Sequence, residues 1–354
     1  MTAIVKTRRG NFFEDFAVGQ ELVHATPRTV TAGDVALYTA LYGGRFAVQS
    51  SDAFAHRLGF RSAPVDDLLV FHLVFGKSVP DVSLNAVANL GYAAGRFLAP
   101  VYRGDTLTAT SRVIGLRQNS DGKSGIVYVR TVGTKQDGTD VLDYVRWVMV
   151  EKADAARPAP TPMVPDLPEA VAAADLVVPE GLTVGGYDDR LAGSVHRWDD
   201  YAPGERIAHL DGMTLEEAEH MLATRLYQNT AKVHFDQVRA QRGRFGRRLI
   251  YGGHIISLAR SLSFNGLANA FRIAAINGGR HVAPCFAGDT VYAWSEVLNK
   301  APIPGRDDVG ALRLRTIALK DRESADCPGR TADGKYDPAV VLDFDYWVLI
   351  PTRS

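Results

Sequence analysis

Two periods alternate along the chain. The segments from Val30 to Tyr42 and from Met213 to Tyr227 place their apolar residues at helical spacing. In the second, Thr214 and Glu217 have the separation of a capping box, which predicts a helix start there. Mostly apolar runs follow, from Leu68 to Phe75 and from Ile255 to Leu262, and each predicts a buried helix. Beyond them the period becomes two. Val291, Ala293, Ser295 and Val297 share one face, while Thr290, Tyr292, Trp294 and Glu296 share the other. Leu342, Phe344, Tyr346, Val348 and Ile350 repeat the alternation, as strands of a sheet with one face on a core do.

The same order of elements occurs twice. GRFLAPVYRGDTLTATSRV, starting at Gly95, matches GRHVAPCFAGDTVYAWSEV, starting at Gly279, an offset of 184 (279 − 95). FFEDFAVG, ending at Gly19, matches RWDDYAPG, ending at Gly204, an offset of 185 (204 − 19). VLDYVRWVMV, from Val141, matches VLDFDYWVLI, from Val341, and here the offset has grown to 200 (341 − 141). The second copy therefore carries extra loop, which the turn residues of PIPGRDDVG and SADCPGRTADGKYDP accommodate. Between the copies, ADAARPAPTPMVPDLPEAVAAAD has clustered prolines, which favour extended backbone over helix or central strand. The expected division is an N-terminal unit over 1–152, a linker over 153–185 and a C-terminal unit over 186–354.

Composition narrows the function. Lys plus Arg and Asp plus Glu both number 40, so no net field favours a phosphate polymer or an anionic bilayer. Nucleic acid and membrane are not expected partners. No apolar run reaches the length of a membrane span, and MTAIVKTRRGNFFED has basic residues without an apolar segment behind them, so a cytoplasmic protein is expected. Cys285 and Cys327 form no CxxC and no zinc-spaced cluster, so no metal site is expected.

One apolar helix followed by several antiparallel strands buries itself if the sheet curls around the helix, the hotdog arrangement. The expected class is α+β, a tandem double hotdog in which each half wraps a curved antiparallel sheet around a long central helix. With this layout the chain resembles the MaoC-like dehydratases, the family of R-specific enoyl-CoA hydratases, over both halves except the linker.

That family carries an Asp and a His five residues apart, in a Gly-Asp-x-Asn-Pro-(aliphatic)-His segment, which activate water. His234 matches the histidine and Val233 its aliphatic neighbour, whereas Asn229 stands where the family has Asp. An amide hydrogen-bonds but does not accept a proton, so the resemblance implies His234 as the proton-transfer residue, with Asn229 placing the water or the ring. Asp236 is the alternative carboxylate. At the corresponding places of the first half, Gly44 and Gln49 do no acid/base work near neutral pH, so that half is expected to be silent. In RRLIYGGHIISL, Gly252 takes the place of the family glycine whose N–H polarises the thioester carbonyl, with Gly253 beside it. Free N–H groups and the dipole at a helix start suit the enolate charge that water addition builds there.

The whole-chain layout and the segments around GNFFEDF, YTALYGGRF and QNTAKVHFD narrow the resemblance to members acting on C5-dicarboxylic acyl-CoA thioesters. A second carboxylate calls for a cation, for which Arg45, Arg96 and Arg280 are candidates, and Arg247 and Arg248 are candidates for CoA phosphates. The resemblance implies no cofactor beyond the coenzyme A of the acyl-CoA substrate, and a homodimer as the expected assembly. The alternatives are a hydratase of ordinary short- or medium-chain enoyl-CoA, a hotdog thioesterase and a non-catalytic acyl-CoA-binding protein.

Overall fold

The computed structural model describes residues 6–353, so the first five residues of the stretch read for a leader lie outside it. Ten strands form one antiparallel sheet. They are β1 (Glu21–Thr29), β2 (Ala86–Phe97), β3 (Thr106–Gln118), β4 (Ser124–Lys135), β5 (Asp140–Glu151), β6 (Arg206–Thr214), β7 (Arg272–His281), β8 (Thr290–Pro302), β9 (Val309–Lys320) and β10 (Val340–Pro351). Their spatial order is β1-β3-β4-β5-β2-β7-β10-β9-β8-β6, so each half contributes five strands and the halves meet at β2 and β7. That seam is short, with Gly95 opposite Ile276 and Arg96 opposite Ala275. Gly95 allows the close approach, since a Cβ there would stand 3.0 Å from the Ile276 side chain.

Four helices matter for the site: α1 (Ala32–Tyr42), α2 (Asp67–Ser78), α3 (Glu217–Leu226) and α4 (Gly252–Leu262). The central helices α2 and α4 follow the two apolar runs. Every residue of α2 is buried, which explains a run that reads as apolar all round and not as amphipathic. Both central helices pack with Leu107, Ala109, Val291 and Ala293 into one core that spans the two halves. The expected capping box is misplaced, however. Thr214 ends β6 with its hydroxyl on that of Thr290, at 2.9 Å, and α3 begins after Glu216 with no side-chain cap. Strand pairing has claimed the threonine, and the true box lies in the first copy, where Thr31 and Asp34 cap α1 reciprocally.

Residues 153–185 lie on the outer face of the sheet. Val171, Leu176, Leu182 and Val184 are buried there with Phe271, Trp347 and Leu349. Trp347 Nε1 donates to the Val171 carbonyl at 3.0 Å. Both faces of β10 are therefore buried, which its alternating pattern did not foretell. The two turn-rich segments fall between β8 and β9 and between β9 and β10, as expected.

Candidate functional site

His234 closes a single helical turn, Lys232–His234, that overhangs the start of α4. Its Nδ1 is 2.8 Å from the Leu249 carbonyl. A carbonyl only accepts, so Nδ1 carries the proton and Nε2 keeps its lone pair. Burial lowers the imidazole to about 4, against the pull of the Leu249 carbonyl, so the ring is neutral near pH 7. The ring stands edge-on to Tyr251 at 5.5 Å, and Tyr251 is the residue that caps α4 immediately before Gly252.

Asn229 is buried five residues earlier, and its Oδ1 accepts the Ala231 N–H at 2.9 Å. This Asx turn shapes the overhang and leaves the amide NH2 as the group able to hold a water. Asp236 is turned to another task. It caps the short helix Gln237–Gln241, with Oδ1 on the Arg239 N–H at 3.0 Å, so it is a structural residue and not a stand-in for the family carboxylate.

Gly252 and Gly253 form the first turn of α4, whose N–H groups have no acceptor within the helix. A Cβ on Gly252 would stand 2.4 Å from His281 Cε1, and one on Gly253 2.6 Å from His72 Cε1. Neither glycine has a positive φ, so bulk and not backbone freedom demands glycine here.

His281, at the end of β7, is the site residue that sequence reasoning missed. Its ring covers Gly252, and its Nε2 lies 3.5 Å from the Tyr92 hydroxyl. Burial and the neighbouring His234 hold it at about 4. The signal was present in the repeat, where GRF in the first copy becomes GRH in the second, placing Phe97 opposite His281. Beside the short seam a groove of about 640 Å³ opens, lined by Tyr92, Trp147, Arg117, Arg280 and His281. That volume is of the order expected for a small-molecule site.

The arginines divide. Arg280 faces this groove, and Arg247 lies on the Phe286 ring at 3.9 Å in an exposed loop. Arg248 already pairs with the exposed Glu217 carboxylate. Arg45 pairs with Asp211 and stacks on Phe264, at the far end of α4 from Gly252. Arg96 shares Asp143 with Arg130. Arg45 and Arg96 are thus each engaged with a carboxylate of the chain itself.

The first half holds a closed counterpart. Gly44, Gln49 and Asp66 line a cavity of about 20 Å³, space for about one water. Gln49 donates to the Phe271 carbonyl at 2.7 Å. Asp67 stands at the repeat position of Gly252, accepting the Ile273 N–H and pairing with Arg272, each at 3.0 Å. A carboxylate and its arginine thus fill the place where the second half exposes helix N–H groups.

Residues 3–333 match the family model described as mesaconyl-CoA hydratase. The chain is 66% identical to the beta-methylmalyl-CoA dehydratase of Chloroflexus aurantiacus over 99% of both chains. It is 62% identical to the mesaconyl-CoA hydratase of Cereibacter sphaeroides, covering 98% of this chain and all of that one. A crystal structure of a MaoC domain dehydratase from Chloroflexus aurantiacus superposes with a TM-score of 0.97 at 66% identity, over 99% of this chain and 100% of the other. A Mycobacterium tuberculosis protein described as a double hotdog gives 0.77 at 25% identity, over 97% and 99%.

Proposed function

The chain belongs to the mesaconyl-CoA hydratase family, and from that premise we propose that it interconverts mesaconyl-CoA and β-methylmalyl-CoA by reversible addition of water. The thioester carbonyl lies against the N–H groups of Gly252 and Gly253, and the alkene lies below His234. Water gives a proton to His234 Nε2 while its oxygen bonds to C3. The π electrons move through C2 to the thioester oxygen, where helix N–H groups and the dipole of α4 receive the charge. The imidazolium then returns its proton to C2. Its formation is favoured as the enolate forms, because opposite charges attract strongly in a buried site. Asn229 holds the water by its amide NH2 and exchanges no proton.

The observation that supports this reading most is the His234 tautomer, since the bond to Leu249 leaves Nε2 as the basic nitrogen. The reading calls for no metal and no redox cofactor, with coenzyme A entering as part of the substrate. Both hotdogs needed for one site are in one chain, and the expected assembly is a homodimer in the cytoplasm. Among the described residues no helix is long and apolar enough to cross a membrane. The test is mesaconyl-CoA hydration, followed by loss of enoyl-thioester absorbance, with the wild type and His234→Ala. Turnover that is lost in the variant supports the reading, and an unchanged absorbance with the wild type ends it.

A further inference from the structure

Arg146 of β5 is wholly buried. Its guanidinium meets the Ser78 hydroxyl at 2.8 Å and the Ser83 hydroxyl at 3.3 Å, and lies 4.3 Å over the Phe75 ring. No carboxylate among the described residues pairs with it, and the groups that face its charge are the phenols of Tyr144, Tyr92 and Tyr251. Buried charges are ordinarily paired, because an isolated one costs several kcal/mol.

The cluster holds more than one unspent donor. Arg146 Nε and the Tyr251 hydroxyl are buried without a hydrogen-bond partner, and the Tyr144 hydroxyl, beside Thr131 and Ser78, makes no hydrogen bond of good geometry. Burial raises both phenols, so they remain protonated and able to donate. Buried donors left unmet normally carry a penalty, so three around one cation point to a missing acceptor.

The cluster also adjoins the site. Tyr251 directly precedes Gly252 and stands edge-on to His234. Tyr92 is opposite Arg146 in the β2/β5 register and brings its hydroxyl to His281. The buried arginines of the C-terminal half provide an internal comparison. There the buried Arg272 has Asp67 at 3.0 Å, and the buried Arg260 feels Asp66 and Asp67. Where β5 has Tyr144 and Arg146, β10 has Phe344 and Tyr346, and the Tyr346 hydroxyl is satisfied by Thr316 at 2.9 Å. The buried arginines of the C-terminal half are thus answered by carboxylates reaching across from the N-terminal half, whereas Arg146 meets no carboxylate from either half among the described residues.

We propose that Arg146, Tyr144 and Tyr251 form the subsite for the second carboxylate of a dicarboxylic acyl-CoA, the two phenols donating to it and Arg146 balancing its charge. This rests on the acyl-CoA reading above and deepens it. The thioester sits on α4, the alkene passes His234, and the free carboxylate ends against the half that lacks the catalytic histidine. That half is silent in chemistry and selects the substrate.

The test uses two unreactive thioesters of equal chain length, succinyl-CoA with a terminal carboxylate and butyryl-CoA without one. Their dissociation constants are measured with wild type, Tyr144→Phe, Tyr251→Phe and Arg146→Met. The wild type is expected to prefer succinyl-CoA by roughly 100-fold, and each phenylalanine variant to lower that preference about tenfold. Tyr144→Phe should leave the butyryl-CoA constant within about twofold, because butyryl-CoA brings no acceptor to the hydroxyl that is removed. Arg146→Met should abolish the preference, and the phenylalanine variants suffice if it does not fold. An unchanged succinyl-to-butyryl ratio in both phenylalanine variants overturns the proposal. A wild type that binds both thioesters equally overturns it while leaving the acyl-CoA reading intact, and one that binds neither ends both.

Discussion

The hydroxyls of Tyr42 and Tyr227 meet at 2.6 Å, and the two residues stand 185 positions apart, at the same place in the two copies. His72 and Ser257 are separated by the same 185 positions and are also hydrogen-bonded, at 2.9 Å. A pseudo-twofold axis therefore passes between the halves at these pairs. The network reaches the site, since Tyr42 also bonds His254 Nδ1 at 2.9 Å, one turn position beyond the two glycines.

Removing one hydroxyl from this axis leaves others buried and short of partners. Tyr42→Phe is expected to cost about 1–3 kcal/mol in urea unfolding. Tyr227→Phe should cost a similar amount, and the double variant less than the two together, because they share one bond. Strict additivity would show that the two hydroxyls act independently.

His234→Gln should lower kcat by roughly 100-fold or more while leaving the CoA-thioester dissociation constant nearly unchanged, as loss of a general base does. Asn229→Asp should stay within about tenfold of wild type, since a carboxylate still accepts the Ala231 N–H and also favours the imidazolium. Full activity in His234→Gln would move the chemistry to another group.

Gly252→Ala places a methyl group 2.4 Å from His281 Cε1. Either the ring or the helix start must shift, and kcat/KM is expected to fall by about 100-fold, as when an oxyanion donor is lost. Pairing it with His281→Ala should recover Tm, because the clash is relieved. Failure of the pair to recover Tm would mean that the clash is with the backbone.

Burial lowers His209, His234 and His281 to about 4, and His72 and His254 to about 3. In the unfolded chain these groups titrate near 6.5. Between about 6.5 and about 4 the unfolded state therefore binds more protons than the folded one, and stability is lost as pH falls through that window. Calorimetry should show Tm declining steadily from pH 6.5 downward. Because His234 stays neutral, the acid limb of kcat/KM should lie near 4, and a limb near 6.5 would mean a solvated ring.

The repeat, the two buried helices and the alternating strands were all legible in the chain, and the resemblance of the second copy singled out His234 and Gly252 as candidates. Each is written in short-range pattern or in the likeness of one copy to the other. Thr214 was misread because its competing partner, Thr290, lies 76 positions away and outbids a cap only once β6 and β8 pair. The outer face of β10 was hidden for the same kind of reason, since Trp347 is buried by Val171 from the linker. Periodicity records which side of an element is apolar, but not which distant element will cover it. Likewise nothing in VLDYVRWVMV marks Tyr144 and Arg146 apart from the rest of the repeated segment. Only the folded chain brings Tyr251, at the start of α4, to face Arg146 of β5. Sequence determined the repeat, the elements and the family resemblance, and tertiary structure decided which side chains of the two halves meet, because a contact across a pseudo-twofold axis leaves no local period to read.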